Sequence, residues 1–274
     1  MSSPPIDQWK YWNEMAGPSW VKVQPKLDRQ MAPLGLAAID ALSPSPGEKI
    51  LDIGCGAAAT SIELARRVGK DGKITGIDIS VPLLTLARER AKNIANLEIL
   101  EGDAGTRVFS QPFDAAFSRF GVMFFPAPVA AFARIKANLR KGGRLCFICW
   151  RALTDNPAMM VPLNAALMHL PPLPPPNPDA PGPASLSDPQ RIRAILSDAG
   201  FAQIDIAQND MMVGAISVDE AMELALYCGP LGAMLRENPD KRDVVISDVR
   251  KALADHDGPG GVKFASATWI VRAS

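Results

Sequence analysis

The chain has 274 residues, 47% of them hydrophobic, and its 29 basic residues are balanced by 29 acidic ones. That length buries a sizeable core as one large α/β unit, alone or with a smaller appended part, while the balanced charge without a Lys/Arg run argues against a nucleic-acid partner. No basic region precedes an apolar stretch at MSSPPIDQWK, and prolines crowd the longest uncharged stretch, Asn156 to Pro178, so neither a secretory signal nor a membrane span is expected and the cytoplasm is the expected compartment.

Residues 1–48 read as a helical cap rich in aromatic residues (Trp9, Tyr11, Trp12, Trp20), with a break expected at Gly17–Pro18. After the loop SPSPGE the pattern alternates. Strand KILDIG is followed by the amphipathic helix TSIELARRVG, strand KITGIDI, helix VPLLTLARERAK and strand LEILEGD; then come strand FDAAFSRF, helix VAAFARIKANLR, the turn KGG and strand RLCFICW. This βαβ rhythm over 49–150 predicts five parallel strands.

Residues 151–187 carry a helix, NPAMMVPLNAALMHL, and then PPLPPPNPDAPGP, which is too proline-dense for a helix or a central strand. The stretch reads as a lid over the carboxyl edge of the sheet, or as a solvated spacer. Over 188–274 regular structure returns: a helix with Asp188 as N-cap, Pro189 at its first position and Gly200 as its stop, then a sixth strand, FAQIDIAQ. Two helices, SVDEAMELALYCG and PDKRDVVISDVRKALADH, form an insertion at about 217–258 before the last strand, VKFASATWIVRA.

Four cysteines, Cys55, Cys146, Cys149 and Cys228, are too few and too scattered for a disulfide framework and suit a reducing compartment. CFIC lies in an apolar strand, where residues three apart point to opposite faces, so Cys146 and Cys149 are assigned to packing and no metal site is expected.

The first strand ends in Asp52, Gly54 and Gly56, where glycine permits a tight turn and close approach of a ligand to the backbone. Dinucleotides and S-adenosylmethionine both use such a turn. A carboxylate two residues before the first glycine repels a pyrophosphate but suits an ammonium and a sulfonium, and Ala59 stands where the dinucleotide fingerprint has its third glycine. Asp78, at the end of the second strand, is spaced to accept both hydroxyls of a ribose, which either ligand needs. Asp103 beside Ala104, after the third strand, suits an adenine amino group, with a turn cap as the alternative.

Together ILDIGCG, GIDIS, EGDA, FDAAFSRFGVMFF and LRKGGRLCFICW occur in the order and spacing of the class I S-adenosylmethionine-dependent methyltransferases. The chain most resembles their small-molecule branch of ubiquinone/menaquinone-biosynthesis type, closely over residues 48 to 150 and loosely beyond. The resemblance implies an α/β, Rossmann-like fold with helices on both faces and helical lid additions. Its seven-stranded sheet is mostly parallel, with the last strand antiparallel between strands five and six. It implies S-adenosylmethionine as cofactor and S-adenosylhomocysteine as product. By position, Asp52, Gly54 and Gly56 would hold the methionine end, with Cys55 contributing backbone only. Asp78 and Ile79 would hold the ribose and adenine face, Asp103 and Ala104 the adenine edge, and Ser118 the ammonium through its carbonyl. The chain departs from the family at Ala58, where glycine is common. Two other readings stay open: a cofactor-binding protein without transferase activity, and a nicotinamide-dependent oxidoreductase.

Methyl transfer from a sulfonium is an in-line displacement that positioning alone can drive far, so a dedicated catalytic residue is not required. If a base is used, His169 and His256 are the only histidines, of which His169, at the end of the lid helix, is the candidate and His256 reads as a helix cap. Trp12 and Trp20 either border the sulfonium with their rings or pack the cap on the sheet. Arg119 either faces an acidic or carbonyl-bearing substrate or forms a structural ion pair. Phe124, Phe125, Met159, Met160 and Met168 suggest a partly hydrophobic small-molecule acceptor. The oligomeric state is left open, a homodimer among the forms it admits, because the helical insertion suits either a subunit contact or a lid.

Overall fold

The computed structural model describes residues 7–173, 177 and 179–274; MSSPPI and four prolines of the proline-dense stretch, Pro174, Pro175, Pro176 and Pro178, lie outside the described residues. The chain enters through a short helix α1 (Gln8–Lys10), capped by Asp7, and a π-helical turn (Tyr11–Met15) that leads directly into α2 (Ala16–Leu42). No break falls at Gly17–Pro18. Pro18 sits in the first turn of α2, where its missing N–H is not needed. Gly17 serves close packing: a Cβ there would stand 2.1 Å from the Trp12 carbonyl oxygen and 2.6 Å from Ser80 Oγ.

The core then alternates β1 (Lys49–Ile53), α3 (Ala59–Val68), β2 (Lys73–Asp78), α4 (Val81–Ala91), β3 (Leu97–Glu101), β4 (Phe113–Arg119), α5 (Pro128–Ala137) and β5 (Leu139–Trp150). The expected KGG turn is absorbed into β5, whose register against β4 shifts between Phe113 and Ala115. After α6 (Pro157–Ala166) and α7 (Pro189–Asp198), β6 (Asp205–Ala215) precedes an insertion of three helices, α8 (Val218–Tyr227), α9 (Gly229–Glu237) and α10 (Arg242–Ala254). Two were expected. The third, α9, starts at a Gly-Pro pair that reads locally as a turn.

The sheet order is β3-β2-β1-β4-β5-β8-β6. The first five strands are parallel, and β8 (Gly261–Ala273) runs antiparallel between β5 and β6. The sheet has eight strands rather than seven, because the two-residue β7 (Asp257–Gly258) pairs with the start of β8. Strand order reverses between β1 and β4, and the crevice at such a switch point is where open α/β sheets bind ligands.

Cys146 and Cys149 verify the two-faced burial of β5: the first thiol approaches the Ala38 carbonyl of α2, the second the Leu186 carbonyl on the α7 side. Two apolar clusters result. One surrounds the sheet; the other joins Val23 and Leu27 of α2 to α6, α8, α9, α10 and the adjoining ends of β6 and β8. The insertion is thereby welded to the N-terminal helix, with the ion pairs Lys26–Glu223 and Arg29–Glu220 across the seam. No helix among the described residues is long and apolar enough to cross a membrane.

Candidate active site

A cavity of about 870 Å³ opens at the switch point and is lined from both apolar clusters. At one end is the turn after β1. Gly54 (φ +66°) and Gly56 (φ +53°) both take left-handed backbone that a side chain would strain, and a Cβ on Gly56 would meet nothing nearer than Leu83 at 3.9 Å, so the backbone there is open to a ligand. Gly54 is closed instead: its Cβ would come within 2.8 Å of the Gly121 Cα. The N–H groups of Gly54 and Cys55 donate to the Ile77 carbonyl and hold the turn against β2. Ala58, also left-handed (φ +65°), then starts α3 without a side-chain cap.

Asp78 organises this end. Its Oδ2 accepts from the Gly56 N–H and its Oδ1 from the Ser80 N–H, both at 2.8 Å. Burial pushes its pKa up while these backbone donors pull it back. Asp103 Oδ1 accepts from the Gly105 N–H at 2.8 Å, and Asp78, Ile79, Asp103 and Ala104 all line the cavity. Each carboxylate retains lone pairs beyond these bonds. Asn13 straps the N-terminal segment over this edge, donating to the Ile79 carbonyl at 2.9 Å and accepting from the Val81 N–H at 2.8 Å.

Asp52 and Ser118 do not line the cavity; both are fully buried behind the strand ends. Asp52 Oδ2 accepts from the hydroxyls of Thr60 (2.8 Å) and Ser61 (2.6 Å), whereas its Oδ1 is buried without a partner. Burial raises its pKa to about 6 against the pull of those hydroxyls and of Arg119. Ser118 Oγ donates to the Ile53 carbonyl at 2.8 Å and accepts from the Gly121 N–H, tying the β4 turn to the β1 turn.

The other end is walled by aromatic rings and by the insertion. Trp12 meets both Trp20 and Phe124 edge-to-face, each at 5.1 Å between centroids, and these three rings, with Phe125, Met159 and Arg119, line the cavity. The insertion contributes Leu224, Leu231 and Leu253 to the lining. His169 does not line the cavity: its Nε2 pairs with Asp248 of α10 at 2.8 Å, at a half-exposed place. Met160 lies outside the lining, packed with the second apolar cluster, and Met168 is 90% exposed. His256 caps no helix through its ring, which leans on Phe264 at 4.6 Å.

Sequence reasoning missed a polar cluster beneath Arg119. Asp28 of α2 accepts from Gln24 Nε2 and from Arg90 Nη1, both at 2.8 Å, and Arg90 also donates to the Ala57 carbonyl of the glycine turn. Gln24 and Asp28 are four apart on a helix and therefore share a face; two polar residues on the inward face of α2 were the available signal. Phe120 was also missed. It holds left-handed backbone (φ +62°), strained for an aromatic residue, and stacks on Trp150 at 4.2 Å.

The family described as the methyltransferase domain matches residues 44–200, more than half of the chain. The chain is similar to the aklanonic acid methyltransferase DauC of Streptomyces sp. (strain C5), 36% identical over 148 residues that cover 51% of this chain and 67% of that protein. It is also similar to the demethylmenaquinone methyltransferase of Staphylococcus carnosus (strain TM300), 35% identical over 98 residues, where it spans only 41% of the relative's length. Among solved structures the YcgJ protein of Bacillus subtilis shares the fold, with a TM-score of 0.58 and 16% identity over 87% of this chain and 97% of that one. The dinucleotide alternative finds no support in these likenesses. With the switch-point turn, the strand order and the matched residues in agreement, the chain belongs to the methyltransferase-domain family, the class I S-adenosylmethionine-dependent methyltransferases.

Proposed function

We propose that the protein transfers the methyl group of S-adenosylmethionine to a small, partly hydrophobic organic acceptor. The observation that carries this reading is the continuity of one cavity from the glycine turn, Gly54 to Ala57, to the apolar chamber under α8, α9 and α10. The names of the relatives, for aklanonic acid and demethylmenaquinone, are those of small organic molecules and support the same acceptor class.

The residues present fit the cofactor. Gly56 offers bare backbone, Asp78 and Asp103 offer acceptors for a ribose and an adenine amino group, and Asp52 Oδ1 lacks any donor, as the carboxylate behind a cationic amino-acid head would. In this reading Gly54, Gly56, the Cys55 backbone, Asp52 and the Ser118 carbonyl serve the methionine end, while Ile79 and Ala104 flank the adenine. When bound, the cofactor supplies an electrophilic methyl on a sulfonium. Trp20 and Trp12 border that region with π faces that favour a cation, and Phe124 and Met159 shape the acceptor side while excluding water.

Titration calorimetry with S-adenosylhomocysteine is the direct test. Saturable binding with one site per chain is expected, followed by release of S-adenosylhomocysteine from S-adenosylmethionine when an apolar acceptor is supplied. Absence of binding heat and of any thermal shift would sink the proposal.

A further inference from the structure

Among the described residues the cavity is lined by a single cationic side chain. The chamber under the insertion is walled mostly by apolar residues such as Leu27, Leu224, Leu231 and Phe264, with neutral polar groups from Gln24, Gln30, Asn156 and Ser266 in the lining, and Arg119 is that one cation. The carboxylates that line the cavity, Asp7, Asp78, Glu101 and Asp103, stand on the N-terminal strap and at the ends of β2 and β3, the nucleotide side. No histidine, lysine or tyrosine lines the cavity among the described residues. Cys228 is no substitute base, because burial pushes its thiol up to about 12.

Arg119 is partly buried, its side chain 15% exposed, yet none of its N–H groups meets an acceptor at hydrogen-bonding distance. The nearest carboxylate, Asp28, is 3.9 Å away, and both of its oxygens are taken by Gln24 and Arg90. The groups facing the guanidinium are thus Asp28, whose charge is shared with Arg90, and the buried Asp52 behind the turn, which acts on it only through space. Packing holds the side chain in place: a Cβ on Gly35 of α2 would stand 3.2 Å from Arg119 Cδ. Beside it, Gln24 Oε1 is buried without a donor. A desolvated guanidinium with open donors is a site for an anionic oxygen, which it binds in a planar fork.

We infer that the acceptor is an apolar molecule carrying one group already ionised in water, such as a carboxylate or an acidic enol or phenol, and that Arg119 holds this group. The inference rests on the methyltransferase reading above. It also accounts for the missing base. The ionised acceptor's lone pair forms the bond to the methyl carbon as the carbon–sulfur bond breaks and its electron pair returns to sulfur, so a cation and an anion become neutral and no proton must leave.

The probes are 2-naphthoate, the neutral 2-naphthamide and the cationic 2-naphthylmethylammonium, titrated into the full chain saturated with S-adenosylhomocysteine. The naphthoate is expected to bind at least about tenfold more tightly than the amide, and the ammonium most weakly. Arg119→Met is expected to abolish the preference for naphthoate while changing S-adenosylhomocysteine affinity less than about threefold; Arg119→Lys keeps the charge and retains part of the preference. Equal binding of naphthoate and amide by the wild type overturns the inference without any variant. An Arg119→Met protein that loses S-adenosylhomocysteine and keeps the naphthoate preference also overturns it, because the guanidinium would then serve the cofactor's own carboxylate. Failure of S-adenosylhomocysteine to bind the wild type is a separate result, which removes the underlying reading instead.

Discussion

Gly54 and Gly121 press their backbones together where the turns after β1 and β4 meet, so closely that a Cβ on Gly54 would lie 2.8 Å from Gly121 Cα and one on Gly121 2.9 Å from Gly54 Cα. The contact lets two strands adjacent in the sheet, whose paired residues are 65 apart in the chain, deliver their ends to one cavity. It is reinforced by Ser118, whose hydroxyl bridges the Ile53 carbonyl and the Gly121 N–H.

Either Gly54→Ala or Gly121→Ala must therefore push the turns apart. Each is expected to cost about 1–3 kcal/mol of stability, and Gly54→Ala adds the strain of a side chain at φ +66°. Thermal unfolding measures the first effect. Calorimetry is expected to show S-adenosylhomocysteine affinity falling by about tenfold or more in both; unchanged affinity with unchanged stability would show that the contact does not shape the site.

Asp52 gives the protein a pH signature. Its pKa rises from 3.8 unfolded to about 6 folded, so between those values the folded protein keeps a proton that the unfolded chain has lost. Stability from this group is present below about pH 4 and lost as pH rises to about 6, by about 3 kcal/mol. Asp52→Asn is expected to lack this slope, read as the difference between wild-type and variant denaturation curves across the window. Affinity for the cationic head of S-adenosylhomocysteine should move the opposite way, rising through pH 6 in the wild type and staying flat in the variant.

His169→Ala is expected to leave methyl transfer within about twofold of the wild type, because the imidazole meets Asp248 outside the cavity. The half-exposed pair contributes at most about 1 kcal/mol. A hundredfold loss of kcat with unaltered folding would instead place the histidine in the chemistry.

Trp12→Ala removes a ring that contacts Trp20 and Phe124 at once. A loss of about 2–3 kcal/mol is expected for a half-buried indole, together with weaker binding of apolar ligands in the chamber, followed by the fluorescence of the remaining tryptophans. Stability lost with ligand affinity intact would assign Trp12 to packing the N-terminal helix alone.

The glycine-turn side of the cavity was legible because its pattern is local. Asp52, Gly54 and Gly56 lie within one strand end and its turn, and Asp78 and Asp103 stand at the next two strand ends, so strand periodicity and turn chemistry bring them to one edge without knowledge of the rest. The acceptor side was not. Asp28 and Arg90 meet across 62 residues, and Tyr11 reaches Arg236 across 225, pairings that no local pattern announces. His169 lies in the turn after α6 and its ring meets Asp248 of α10, a choice made by which face of α6 packs inward. Two lesser departures are local: Gly17–Pro18, expected as a break, lies inside the continuous helical run that becomes α2, and α9, which was not expected, starts at Gly229–Pro230, where a proline N–H is not needed.

By itself the sequence determined the βαβ order and the residues of the glycine turn, because these follow from short-range periodicity and backbone freedom, whereas the antiparallel last strand was implied by the family resemblance alone. Only the tertiary structure decided that the N-terminal helix and the three-helix insertion share one apolar cluster, and that Arg119 is partly buried in the cavity wall without a hydrogen-bonding partner. The physical reason is that burial and charge compensation are properties of everything packed around a group, and α2, α4, β4 and the insertion meet there from distant parts of the chain.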